Sequence, residues 1–523
     1  MDTKALRQKV LDLAIRGKLV PQDPNDEPAS VLLARIRQQK QQMVKEGKLK
    51  AKDIKNDTII FVGEDNLHYE KFADGSVKCI EDEVPFGLPD GWAWVRLGNL
   101  SAAIQYGLSN SAEPQGTHRL LRITDIQDGK VDWNAVPFTT VNDPEAYLLK
   151  TGDIVFARTG ATVGKSFLIT ETPYPSVYAS YLIRIRLLGS LSPEYIYQFF
   201  DSACYWSQIT DKSVGVGQPN CNGTSLKELF IPLPPISEQL RIVPTAQALL
   251  AYVAKIDAEK KSLLSIIMAT KSKILDLAIR GQLIPQDPND EPASVLLERI
   301  RAEKEELIKQ GKIKRDKKES VIFRGEDNSY YEKMADGKLH CLDDQLPFEL
   351  PDGWEWCNLS MIGTTNIGLT YRPTDIEPGG IMVLRSCNIV NDQVDLNDLV
   401  RVKTTVRENQ FAQKNDILIC ARNGSRSLVG KCALIPDLGE PASFGAFMAI
   451  YRTEYFEFIV HYLRSSFFRS VFDDSNSTAI NQLTQDMLKR AIVPLPPLSE
   501  QRRIVEAIGA MLFELNQIEK SLS

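Results

Sequence analysis

Histidine is scarce in this chain. Four of 523 residues are histidine (His68, His118, His340, His461), and they lie in unrelated settings. No HExxH, no GxSxG, no helicase phosphate loop and no methyltransferase motif appears, so hydrolysis, metal-assisted chemistry and methyl transfer lack their usual machinery. Cysteine is sparse too, at eight residues with no CxxC. That argues against disulfides and zinc and for a reducing cytosol. Cys79 and Cys341 are read as small buried hydrophobes. No apolar run reaches the 18 residues of a membrane span, and the MDTKALRQK start has no apolar leader. The expected location is cytoplasmic. Positive charge is not in excess either: the net charge is −6. Residues 90–230 carry 11 Lys/Arg against 13 Asp/Glu, and 350–494 carry 14 against 16. This weighs mildly against nucleic-acid binding, unless folding gathers the cations on one surface.

What the chain does have is a long duplication. Residues 11–37 read LDLAIRGKLVPQDPNDEPASVLLARIR and 275–301 read LDLAIRGQLIPQDPNDEPASVLLERIR, differing at only three positions. GEDNLHYEKFADG at 63 recurs as GEDNSYYEKMADG at 325, and IPLPPISEQLRIV at 231 as VPLPPLSEQRRIV at 493. Repeats this far apart are duplicated domains, not solenoid units. Between the matches, 100–228 and 362–490 have diverged.

After the first PLPP, apolar residues recur at alternating steps of four and three: Ile242, Ala246, Leu249, Val253, Ile256, Leu263, Ile267, Ile274 and Leu277. This is a heptad seam of about 35 residues, roughly 50 Å of helix. Pro244 suits its first turn and Gly281 its end. Ile504, Ile508, Met511, Leu515 and Ile518 repeat the seam near residue 523, and Leu6, Val10 and Leu13 continue it near residue 1. The second copy of the helix is therefore cut, and its two parts sit at the chain termini. Two long antiparallel helices, related by a pseudo-two-fold axis, are expected. Further on, GED and ADG bracket a small hairpin in each copy. Trp92, Trp94, Trp354 and Trp356 alternate as on a strand and belong to a core.

Each diverged segment reads strand, Arg, polar loop, Gly-Lys, strand: 150–169 and 414–435. GATVGKS falls one residue short of a phosphate loop, and GSRSLVGKC has one residue too many, so a nucleotide cradle is excluded. A hairpin tip carrying Arg158, Thr159 and Lys165, or Arg422, Asn423, Arg426 and Lys431, suits readout of base edges and phosphates. A second polar loop adds Gln218, Asn220 and Asn222 in one copy and Asn481 and Gln482 in the other. HRLLRITDI and IMVLRSCNI contribute Arg119, Arg122 and Arg385 as further candidates for DNA contact.

LPDGW opening and PLPPxSEQxxIV closing each variable domain, twice, with a long helix following, resembles the specificity (S) subunit of type I restriction–modification systems. The resemblance covers essentially the whole chain and implies an α+β fold: two globular α/β target recognition domains, separated by a coiled coil of two antiparallel helices, in a circularly permuted repeat. The segments would be 1–87 (repeated region), 88–233 (first recognition domain), 234–349 (central repeated region), 350–495 (second recognition domain) and 496–523 (last helix). The resemblance further implies a non-catalytic subunit on double-stranded DNA. Two methyltransferase (M) subunits and the endonuclease (R) subunits would be its partners. S-adenosylmethionine, ATP and magnesium would belong to those partners, with no cofactor on this chain. The competing expectation is a protein–protein scaffold without a DNA role.

Overall fold

The computed structural model describes residues 2–127, 129–212, 220–313, 315, 320–473 and 482–522. Two compact units divide the chain, Met1–Lys260 and Lys261–Ser523.

Unit one opens with a helix, Thr3–Ile15, capped by the Asp2 carboxylate, which accepts from the backbone N–H of Lys4 and Ala5. Gly17 then reverses the chain at a φ of +65°. A Cβ there would sit 2.6 Å from the Pro89 ring, so only glycine lets the turn close on LPDGW. The next helix, Ala29–Lys45, starts after Pro28, and its first N–H donates to the Gly91 carbonyl. A three-stranded meander follows (Ile59–Val62, His68–Lys71, Val77–Cys79), one strand more than the expected hairpin. Cys79 ends its third strand and is exposed, as is Cys341 in the second copy, which corrects the reading of both as buried. An outer strand of a meander has no layer packed over it.

The variable part of unit one is closed at its neck by pairing its first strand with its last. Ala93–Arg96 lies antiparallel to Phe230–Leu233. Within it, a four-stranded sheet runs in the order Ser166–Leu168, Ile154–Ala157, Leu182–Leu187, Ser101–Tyr106. The continuous apolar run IVFA is what a strand buried on both faces requires. Ile154 and Phe156 join the core beneath the helices, while Val155 and Ala157 pack into a second cluster with Phe167 and Tyr178.

Unit two repeats this plan. Its neck pairs Glu355–Asn358 with Ile492–Leu495. Its apolar strand Ile417–Cys420 again divides its side chains, Ile417 and Ile419 to one core and Leu418 and Cys420 to another. All four tryptophans of the two LPDGWxW segments are buried.

The central helix, Ile236–Ile279, has 44 residues, about 66 Å at 1.5 Å per residue, and so exceeds the expected 35. Pro244 is therefore its ninth residue rather than part of its first turn. The carbonyl that Pro244 cannot serve belongs to Leu240, a residue on the exposed side of the helix. The helix ends as expected at Gly281, with φ +65° and the Gln282 N–H bonded to the Leu277 carbonyl. In unit one, Thr3 bonds Asp257 (2.7 Å) and Leu11 faces Leu250 across a cleft, so the first helix runs antiparallel to the central one. In unit two, Lys271 pairs with Glu519 and Leu275 faces Leu512, so the last helix (Leu498–Leu522) is antiparallel to residues 261–279. Ile242, Ala246, Ile267, Ile274, Ile504 and Ile508 are buried, and Val253, Leu277 and Leu515 are partly so. Leu249, Ile256, Leu263, Met511 and Ile518 remain about two-fifths exposed, which departs from a fully packed seam. Two helices alone cover only one side of each seam residue.

Three repeated motifs, distant in sequence, meet at a joint in each unit. Trp92 Nε1 donates to buried Glu238 (2.9 Å), and Trp354 Nε1 to buried Glu500 (3.0 Å). Gln239 and Gln501 each donate to a PLPP carbonyl, Pro234 and Pro496, both at 2.9 Å. Arg241 holds Asp26 with both terminal nitrogens, and Arg503 holds Asp290 in the same way. LPDGW, PNDEP and SEQxR are thus one structural device written in three places. Burial pushes the Glu238 and Glu500 carboxyls above the usual range.

Candidate nucleic-acid interface

The joint fixes each variable domain, and each domain's apolar strand ends at a polar tip. In unit one, Ile154–Ala157 pairs with Ser166–Leu168, so the expected hairpin forms, with residues 158–165 as its loop. Arg158 opens that loop, and its N–H donates to the Tyr181 carbonyl (3.1 Å). Thr159 bridges antiparallel to Asn220, and the Cys221 N–H donates to the Arg158 carbonyl (3.0 Å). Unit two repeats the arrangement with its arginine one residue further on, so that Ala421 takes the place of Arg158 and Arg422 that of Thr159. Arg422 N–H donates to the Phe447 carbonyl (3.0 Å), Arg422 bridges Gln482, and Leu483 N–H donates to the Ala421 carbonyl (2.7 Å). Both polar loops named from the sequence are therefore stitched together by backbone hydrogen bonds. Asn220, Gln482, Lys165, Arg422 and Arg426 are exposed there, and Arg158, Thr159 and Asn423 are partly so. Arg158 lies over the Tyr106 ring (4.9 Å) and Arg422 over Phe447 (5.6 Å). Asn423 accepts from the Ser425 N–H, which shapes the loop.

Other candidates are engaged inside their domains. Arg119 donates to the Val136 carbonyl and lies over Phe138 and Tyr174. Arg122 is held by both oxygens of Asp125, three residues on, at the start of a short turn. Arg385 occupies the same position in unit two and bonds Asp398 (2.9 Å). Lys431 donates to the Ile389 carbonyl, and Asn222 caps the helix Gly223–Lys227 through the Ser225 N–H. Each of these bonds would have to be exchanged before the residue could serve DNA. Gln218 and Asn481 lie outside the described residues.

Sequence reasoning missed the tip aromatics. Tyr181 and Phe447 occupy equivalent turns, YASYL and FGAFM, and both are exposed. The signal was present as an aromatic three residues after a buried one.

Among the described residues, no group of three or more His, Cys, Asp or Glu side chains could hold a metal ion. No helix among them is long and apolar enough to cross a membrane.

A duplicated scaffold that displays two divergent, arginine-bearing tips defines a recognition protein rather than a reaction centre. The chain belongs to the family of type I restriction modification DNA specificity domains, whose profile matches residues 89–266 and 351–522. It is similar to the specificity subunit of the type I restriction enzyme EcoAI of Escherichia coli, with 28% identity covering 99% of this chain and 90% of that one. The EcoEI specificity subunit of Escherichia coli is 26% identical with the same coverage. A solved chain from work on complex assembly and conformational transition of the type I R-M system shares the fold. Its TM-score is 0.52 at 18% identity, over 84% of this chain and 94% of that one.

Proposed function

We propose that this chain is the non-catalytic DNA-reading subunit of a type I restriction–modification complex in the cytoplasm. Each tip reads one half of an asymmetric, bipartite site in double-stranded DNA, through the recognition domains 88–233 and 350–495. Two methyltransferase subunits dock on the repeated segments and methylate adenine N6 beside each half-site. Endonuclease subunits complete the complex for cleavage of unmodified DNA. S-adenosylmethionine, ATP and magnesium work in those partners. The observation that carries the reading is the pairing of two polar loops beside an arginine at each tip, on a scaffold whose copies barely differ while the tips do. A repeated scaffold calls for repeated partners, and unlike tips call for unlike half-sites.

The test is methylation mapping. The chain is co-expressed with its methyltransferase subunit in a host free of other systems, and N6-methyladenine is located across the genome. One asymmetric bipartite motif is expected. Arg158→Ala and Arg422→Ala should each weaken binding by about 1–3 kcal/mol and relax opposite halves of that motif. Methylation without a bipartite motif, or a motif unchanged by both variants, refutes the reading.

A further inference from the structure

Beside the polar side chains, both tips hold an aromatic ring that is largely exposed, with the Arg422 guanidinium over part of Phe447. Tyr181 is 62% exposed and Phe447 61%. Each follows a strand whose last aromatic, Tyr178 or Phe444, is fully buried, and each precedes a buried residue, Leu182 or Met448. The ring is therefore the one outward step on a pinned turn. Its own carbonyl accepts the N–H of the tip arginine in both units. The neighbouring chain approaches the turn so closely that a Cβ on Gly107 would lie 2.3 Å from the carbonyl oxygens of Tyr178 and Ala179. On Gly368 it would lie 2.2 Å from those of Phe444 and Gly445. Such an approach pins the backbone of the turn that carries the ring.

The comparison between the two tips says what the ring is for. The polar residues differ: Thr159, bridged to Asn220, stands where unit two has Arg422, bridged to Gln482. That is the behaviour of side chains that read donors and acceptors on different bases. The aromatic is present in both. A ring stacks on any base because every base has a π-face, so it need not change when the target changes. Apolar wedges of this kind enter base steps and unstack them, exposing surface to polar neighbours.

We infer that Tyr181 and Phe447 are wedges, each laid against a base face at one step of its half-site, whatever the sequence there. This rests on the DNA-reading proposal above and adds a sequence-independent contact to it.

The experiment uses the chain assembled with its methyltransferase subunits and short duplexes carrying the mapped target. Binding is measured for wild type, Tyr181→Ala, Phe447→Ala and Phe447→Trp. Each is tested on the intact duplex and on a set with one abasic position moved along each half-site. Each alanine variant should bind the intact duplex at least about fivefold more weakly, and Phe447→Trp within about twofold of wild type. In wild type, an abasic residue at one position per half-site should alter affinity in a way the alanine variant no longer shows. For Phe447 that position should fall in the half relaxed by Arg422→Ala, and for Tyr181 in the half relaxed by Arg158→Ala. Alanine variants that match wild type on every duplex overturn the wedge, and DNA reading survives if the arginine variants still lose their halves. Failure of the arginine variants as well brings down the underlying proposal.

Discussion

Replacing Trp92 with Phe should loosen unit one and leave unit two intact. The indole N–H donates to Glu238, whose side chain is almost wholly buried. A hydrogen bond to a charged, buried acceptor contributes about 1.5–3 kcal/mol, and shrinking a buried indole to a phenyl leaves a small void. Together the change should cost about 2–4 kcal/mol. Glu238→Gln keeps an acceptor for the indole and removes the buried charge, so near neutral pH it should shift stability by less than about 1 kcal/mol. The two differ in pH dependence, and the sign follows from burial. The Glu238 carboxyl is raised in the folded state, so the fold binds its proton more tightly than the unfolded chain does. That contribution is complete below the ordinary value of 4.5 and is lost as pH rises through the raised one. The stability of wild type relative to Glu238→Gln should therefore fall with rising pH across that window. Hydrogen exchange read by mass spectrometry provides the assay. Peptides covering 92–96 and 230–243 should exchange roughly a hundredfold faster in Trp92→Phe. Peptides covering 354–358 and 492–505 should not change, because the Trp354–Glu500 joint is untouched. Equal loosening of both units, or none in unit one, would refute the reasoning.

Lys40 is 4% exposed and donates to Asp57 (2.7 Å) and the Gly98 carbonyl (2.9 Å), while burial lowers its pKa and raises that of Asp57. Both shifts run against charge, so desolvation outweighs pairing. Lys40→Met should cost about 3 kcal/mol in a urea melt, and adding Asp57→Leu should recover most of it; a double variant no better than the single one would contradict this. His461 is held to about 4 by burial, with Arg464 adding to the effect, and its Nδ1 has no hydrogen-bond partner among the described residues. The unfolded chain binds this proton from about pH 6.5 downward and the fold does not, so unit two should lose about 3 kcal/mol between pH 6.5 and 4. His461→Gln should flatten that slope, and an unchanged slope by calorimetry would assign the acid loss elsewhere.

The residues that were hard to assign from sequence were the arginines, and the reason is physical. Repeats and periodicity exposed the repeated motifs, the paired helices and the hairpins, whereas the joint in which those motifs meet appears only in the structure. An arginine is ambiguous: the same guanidinium serves a phosphate, a base edge or a carboxylate of its own chain. Arg122 had its partner in plain sight at Asp125, three residues on, and Arg385 had Asn388 at the same spacing to close its turn. Arg186 and Arg452 found theirs across the sheet, bound through two nitrogens to buried Asp153 and Asp416. Part of the acid in each variable domain is locked inside against strand arginines, where it stabilises the sheet. Arg158 and Arg422 differ from these internal arginines in context. Each follows a strand buried on both faces and enters a loop whose backbone is already bonded to a second polar loop. On the proposed function, a cation at the mouth of such a strand, beside a largely exposed ring, is where the domain's positive charge acts on DNA, although the domain as a whole remains slightly acidic.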